Sequence, residues 1–202
     1  MSRSTAKPSA PKAAKPEAQT AAEARAEVEA RIATNRLARR AAMDAHFGDR
    51  LPGTILMTAT AVITAAFAVL AVVGAAAGGA AADLSGNASL VIAAAGTVLF
   101  LVALWDGAQR SRSATLGIGG WFFLAASAPR SAQVRLLAPL AIQTVVGIAT
   151  AAAAFDPSAA VPTPLAFGTL VPIFGLAICG IWGARYGYFP PRADTDSGAG
   201  NA

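Results

Sequence analysis

Few side chains in this chain of 202 residues have types able to do chemistry, and none stands near a partner in the sequence. There is one cysteine, Cys179, and one histidine, His46, which excludes an intrachain disulfide framework and a Cys/His zinc cluster. No GxSxG, HExxH or Walker-type loop occurs, and the pair Gly119-Gly120 lacks the lysine that would hold a phosphate. No serine, threonine or cysteine has a histidine close by in the sequence. The expectation is a non-enzymatic protein without a catalytic, cofactor-binding or metal centre.

What remains is polar and small residues set in long apolar stretches. Thr58, Thr60 and Thr64, then Thr97, then Gln143 with Thr144 interrupt runs otherwise made of Ala, Val, Leu, Ile and Gly. Gln143 falls near the middle of its run, where an unpaired amide would cost several kcal/mol, so it is expected to face another helix. A hydrogen bond between helices is the plain role; lining a solute path with Thr144 and Pro172 is the other. Gly74 with Gly78, and Gly175, Cys179 and Gly183, repeat at four-residue spacing and suit close helix packing. Pro172 lacks the N–H that would reach Gly168 and is expected to kink its helix, whereas Pro139 falls in the first turn of its own.

These residues are positioned by membrane-spanning helices. Mean hydropathy is +0.52, 55% of residues are hydrophobic and 13% charged, too apolar for an ordinary soluble domain. Alanine makes up about a quarter of the chain. Of the 27 charged residues, 16 lie in the first 50 positions. Beyond Leu51 the uncharged intervals can be compared with the roughly 20 residues that cross a hydrocarbon core about 30 Å thick. Four are long enough, giving spans at about 54–78, 86–105, 136–155 and 162–184 within a membrane domain at 51–190. The first is not expected to be a cleaved signal, since more than 50 residues precede it.

The interval 113–129, SATLGIGGWFFLAASAP, is too short and glycine-broken to span. Trp121, Phe122 and Phe123 between Arg112 and Arg130 predict an interfacial segment instead, its rings at headgroup level, with a re-entrant loop as the competing reading. Trp182 and Tyr186 with Tyr188 and Phe189 suggest a second aromatic belt. No Asp, Glu, Lys, Arg or His lies within any span, which argues against ion coupling, proton relay or voltage sensing. Asp83, Asp106 and Asp156 are read as bounding the apolar runs.

Orientation follows from arginine. Arg36, Arg39, Arg40 and Arg50, then Arg110, Arg112, Arg130 and Arg135, then Arg185 and Arg192 fall on one side and none on the other, so both termini are expected in the cytoplasm. Residues 1–16, with three prolines and three lysines, read as a disordered basic tail, and 191–202 as a second disordered tail. Residues 17–50 read as a charged cytoplasmic helix, with Arg25–Glu29 and Glu27–Arg31 at i, i+4 spacing and Gly48 as its stop. Ala24, Val28, Ile32 and Asn35 fall near one face. The helix is open to three uses: solvated spacer, dock for another protein, or anchor on anionic lipid through Arg36, Arg39, Arg40 and Arg50. Nucleic acid is not an expected partner, because the tail has no aromatic residues for stacking.

The fold class expected is all-α integral membrane, with four spans, an N-terminal charged helix and disordered termini. The composition suggests a bacterial cytoplasmic (inner) membrane protein. The functional expectation is an accessory, scaffold or assembly subunit that meets membrane lipids and either another membrane protein or its own copies. The alternative is a small oligomeric channel or uncoupled transporter lined by Gln143, Thr144 and Pro172.

Overall fold

Helix-favouring Ala, Arg and Glu carry the first element, α1 (Ala21–Phe47). It stops at Gly48, where φ is +52° and the N–H donates to the carbonyl of Asp44 at 3.0 Å. A computed structural model describes residues 21–48, 51–158 and 161–191. The expected tail 1–16, residues 17–20 of the charged helix, Arg50 and residues 192–202 lie outside the described residues. The chain divides into two compact units, Met1–Ala38 and Arg39–Ala202. In the first, the described residues are one helical stretch with Val28, Ile32 and Leu37 exposed. The last turns of α1 belong to the second unit, where Met43 and Phe47 pack into its core.

The second unit contains α2 (Thr54–Ala77), α3 (Gly79–Ser111), the short α4 (Ile118–Phe122), α5 (Arg130–Ala153), a 3-10 segment (Pro164–Leu170) and α6 (Pro172–Tyr186). Among the described residues four helices are long and apolar enough to cross a membrane: α2, α3, α5 and the 3-10 segment continued by α6. The chain is a multi-pass membrane protein with an all-helical fold. The segment 113–129 is not a fifth span; α4 has five residues and turns surround it.

Several limits differ from the sequence reading, for a common reason. A charge ends the stretch compatible with hydrocarbon but not the helix, whose hydrogen bonds close within the segment and persist in water. Thus α3 runs 33 residues through both Asp83 and Asp106, not 86–105, and the interval 79–85 between the first two expected spans is helical. Likewise α5 starts at Arg130, six residues before the expected limit, so Pro139 is its tenth residue and sits inside the helix. Only Gly78 separates α2 from α3. Its φ of +64° is the left-handed backbone that glycine adopts without a Cβ penalty, and its N–H donates to Gly74 at 3.0 Å. A Cβ there would meet nothing within 4 Å, so Gly78 turns the chain and is in close contact with no helix of this bundle.

Pro172 also departs from expectation. It does not kink the middle of an α-helix; it opens α6 at a position where no N–H is required. The chain before it is wound as 3-10 helix, with the Val171 N–H donating to Gly168 at 3.2 Å and the Phe174 N–H to Val171 at 2.9 Å. Val171, at φ −59° and ψ −33°, keeps the helical hand.

The last span is the centre of the bundle. In its apolar stretch 61% of residues are buried, against 22–28% in the other three. It packs most extensively on α3 and also on α5 and α2, while α2 packs on both α3 and α5. The main core cluster joins Met57, Leu136, Phe174, Ile178, Cys179 and Trp182 with Phe47.

Candidate functional site

Most hydroxyl and amide groups of the spans donate within the bundle. Gln143, fully buried on α5, donates through Nε2 to Thr64 Oγ1 of α2 at 2.7 Å. Its Oε1 has no hydrogen-bond partner and rests on Gly175 of α6, where a Cβ would stand 2.6 Å from it. Glycine is therefore what lets α6 approach the amide. Cys179, one turn on, is buried with Sγ 3.8 Å from the carbonyl of Leu136. Gly183 abuts the Trp121 carbonyl, and a Cβ at Gly74 would lie 2.9 Å from Ser85 Cβ. Gly74, Gly175, Cys179 and Gly183 thus face elements of the same chain.

Thr64 and Gln143 respond unequally to truncation. Threonine in a helix can turn its hydroxyl to the carbonyl four residues back, as Thr60 does to Leu56 at 2.8 Å. Gln143→Leu keeps the volume and leaves Thr64 that option, so its expected cost is under ~1 kcal/mol. Thr64→Val strands a buried amide and is expected to cost about 1–3 kcal/mol. Reversible unfolding in detergent checks the order; equal costs, or the reverse order, would exclude this account.

Thr144 and Pro172 do not join Gln143. They line a cavity of about 530 Å³ beside α6, with Thr97 and Ala93 of α3, Leu140 of α5, Thr169 and Phe123 also in its wall. The hydroxyls of Thr97, Thr144 and Thr169 donate to the carbonyls of Ala93, Leu140 and Ala166 at 2.9, 2.9 and 2.7 Å. Each donor is satisfied within its own helix, which leaves the groove apolar in character.

The aromatic residues expected at the lipid interface turn inward instead. Trp182 is fully buried and its Nε1 donates to the Pro52 carbonyl at 2.9 Å; Tyr186 is half-buried beside it, with ring centroids 5.9 Å apart. Half-buried Trp121 donates from Nε1 to Gly180 of α6 at 2.9 Å, and buried Phe122 stacks on Phe100 of α3 at 5.5 Å. Only Phe123 is substantially exposed. An indole N–H inside a bundle needs an acceptor, and the carbonyls of Pro52 and Gly180 supply them. Segment 113–129 therefore packs on α6 through Trp121 and Phe122. Gln133 Nε2 holds it by donating to Leu124 and Ala128 at 3.0 and 2.9 Å, Ser127 accepts from the Tyr188 N–H at 2.8 Å, and Ala114 bridges Pro191. Pro191 is therefore part of the folded unit rather than of a tail.

Arg36, Arg39, Arg40, Arg112 and Arg130 are exposed. Arg185 Nε pairs with Asp106 Oδ2 at 2.6 Å. Asp156, beyond the end of α5, accepts from the Ser158 hydroxyl and N–H at 2.7 and 2.8 Å, which holds its carboxyl below the ordinary range. That turn is kept at neutral pH and loosens only on acidification through the lowered value.

Close contacts missed from sequence are made by glycines. A Cβ at Gly96 of α3 would fall 2.6 Å from the Phe174 nitrogen, and Gly147 of α5 abuts the Gly168 carbonyl. A signal for the first was present: Ser85, Ser89, Ala93, Gly96, Ala103 and Gly107, all buried on α3, recur at helical spacing. Among the described residues no three His, Cys, Asp or Glu side chains are grouped to hold a metal ion. No family model matches the chain, and no curated protein or solved structure matches it.

Proposed function

We propose that this protein is a non-enzymatic subunit of the bacterial inner membrane, with both termini in the cytoplasm, that acts as an accessory or scaffold for another membrane protein. The carrying observation is the apolar groove over α6 at Thr97, Thr144 and Pro172. Without ionisable groups at membrane depth, the spans offer surface for association rather than machinery for coupled transport. Small and hydroxylated residues in such a groove admit the side-chain ridge of another helix. The exposed stretch of α1, where Val28 and Ile32 lie one turn apart, gives the same protein a contact in the cytosol.

The test is purification in mild detergent of the full chain, of Thr144→Phe, which fills the groove, and of a version lacking residues 1–38. The expected result is a stoichiometric membrane-protein partner with the full chain, lost with Thr144→Phe while thermal unfolding is unchanged. Solute flux through liposomes containing the purified protein alone would overturn the reading.

A further inference from the structure

At the arginine-bearing end of the bundle a second cavity, of about 420 Å³, lies between elements that are far apart in sequence. His46 and Phe47 from the end of α1, Pro52, Arg110 of α3, and Arg185 and Tyr186 of α6 line it. Its chemistry differs from that of the groove over α6, because two guanidinium groups face one concavity. The Nε of Arg185 is fixed on Asp106 at 2.6 Å, which orients the side chain and leaves four N–H donors on its Nη atoms. Asp106 cancels one of the two charges. Arg110, Arg185 and Asp106 together therefore carry one net positive charge, equal and opposite to a single phosphodiester anion and smaller in magnitude than the roughly −1.5 to −2 of a phosphate monoester.

The depth of the pocket favours a lipid. Trp105, next to Asp106 on α3, is 67% exposed, and an exposed indole near a span end belongs at the boundary of hydrocarbon and headgroups. Arg110 stands five residues further along the helix, about 7.5 Å, at headgroup depth. In the other direction, Val102 on α3 and Ile55 in the first turn of α2 are exposed and apolar, suited to acyl chains. We propose that this pocket binds the phosphodiester headgroup of an anionic phospholipid of the surrounding bilayer, with Arg110 and the free face of Arg185 as its donors.

The test is native mass spectrometry of the full chain in detergent with equal amounts of a phosphatidylglycerol and a phosphatidylcholine of identical acyl chains. At about 1 kcal/mol for each of the two arginines, retention is expected to favour phosphatidylglycerol by roughly 30-fold. Arg110→Gln, which leaves the Arg185–Asp106 pair intact, and Arg185→Gln are each expected to reduce that preference to about 5-fold. Arg135→Gln, at the same end but outside the pocket, is expected to leave it unchanged. Equal retention of the two lipids by the unmodified chain, or an equal loss with Arg135→Gln and Arg110→Gln, overturns the proposal. Displacement of the bound lipid by millimolar inorganic phosphate overturns it as well, by assigning the pocket to a soluble anion.

Discussion

Gly96→Val unfolds at far lower temperature than the unmodified protein in the same detergent, or fails to accumulate in the membrane. A Cβ at this position would lie 2.6, 2.7 and 2.9 Å from the nitrogen, Cα and Cβ of Phe174. Two of those atoms are backbone, so no rotamer change relieves the overlap; α3 and α6 must move apart along the most extensive contact in the bundle. Overpacking typically costs 1–3 kcal/mol where side chains can adjust. Here they cannot, and about 3 kcal/mol or more is expected for valine, with alanine in the usual range. Gly119→Val is the control, because a Cβ there meets nothing within 4 Å, and its expected effect is within ~0.5 kcal/mol. A melting temperature for Gly96→Val within 2 °C of that of Gly119→Val would show that the two helices do not cross as described.

Trp182→Ala is expected to be comparably damaging at the other end of the same span. The ring is fully buried and stacks on Phe47 at a centroid separation of 6.0 Å, and its N–H closes on Pro52. It therefore joins α6 to the end of α1 and to the entry of α2. Gly53, at φ +72°, gives it room: a Cβ there would lie 2.8 Å from the ring. Truncation to alanine costs about 3–5 kcal/mol, roughly 10 °C for a chain of this size. Trp182→Phe keeps most of the ring but orphans the Pro52 carbonyl, for about 1 kcal/mol. The ratio between the two variants measures how much of the joint is ring burial and how much is the hydrogen bond. Equal losses would assign the effect to the hydrogen bond alone.

The four spans were legible because charge is scarce beyond Leu51, and a charge-free run of about 20 residues has few alternatives. Their ends were not, since helix α3 passes through Asp83 and Asp106 once it leaves the apolar layer. Aromatic residues near span ends misled for a different reason: Trp121 and Trp182 have the position of interfacial rings, but their N–H groups find carbonyl acceptors within the bundle. Gln143 was legible as a residue that needs a partner, whereas its partner Thr64 was one threonine among several. The cationic pocket was hidden because Arg110 and Arg185 are 75 residues apart in the chain and meet only through the α3–α6 crossing.

The central position of the last span bears on how the protein is made. Translation supplies α2, α3 and α5 before Pro164–Tyr186 exists, and at about 5–20 residues per second the 33 residues after Ala153 take roughly 2–7 s. During that time Gly96 and Gly147, shaped to receive the fourth helix, face lipid or the insertion machinery. Synthesis and packing run in opposite orders, with the keystone laid last. A message truncated before Pro164 yields three spans without their common neighbour, a product for membrane proteases rather than a smaller version of the protein.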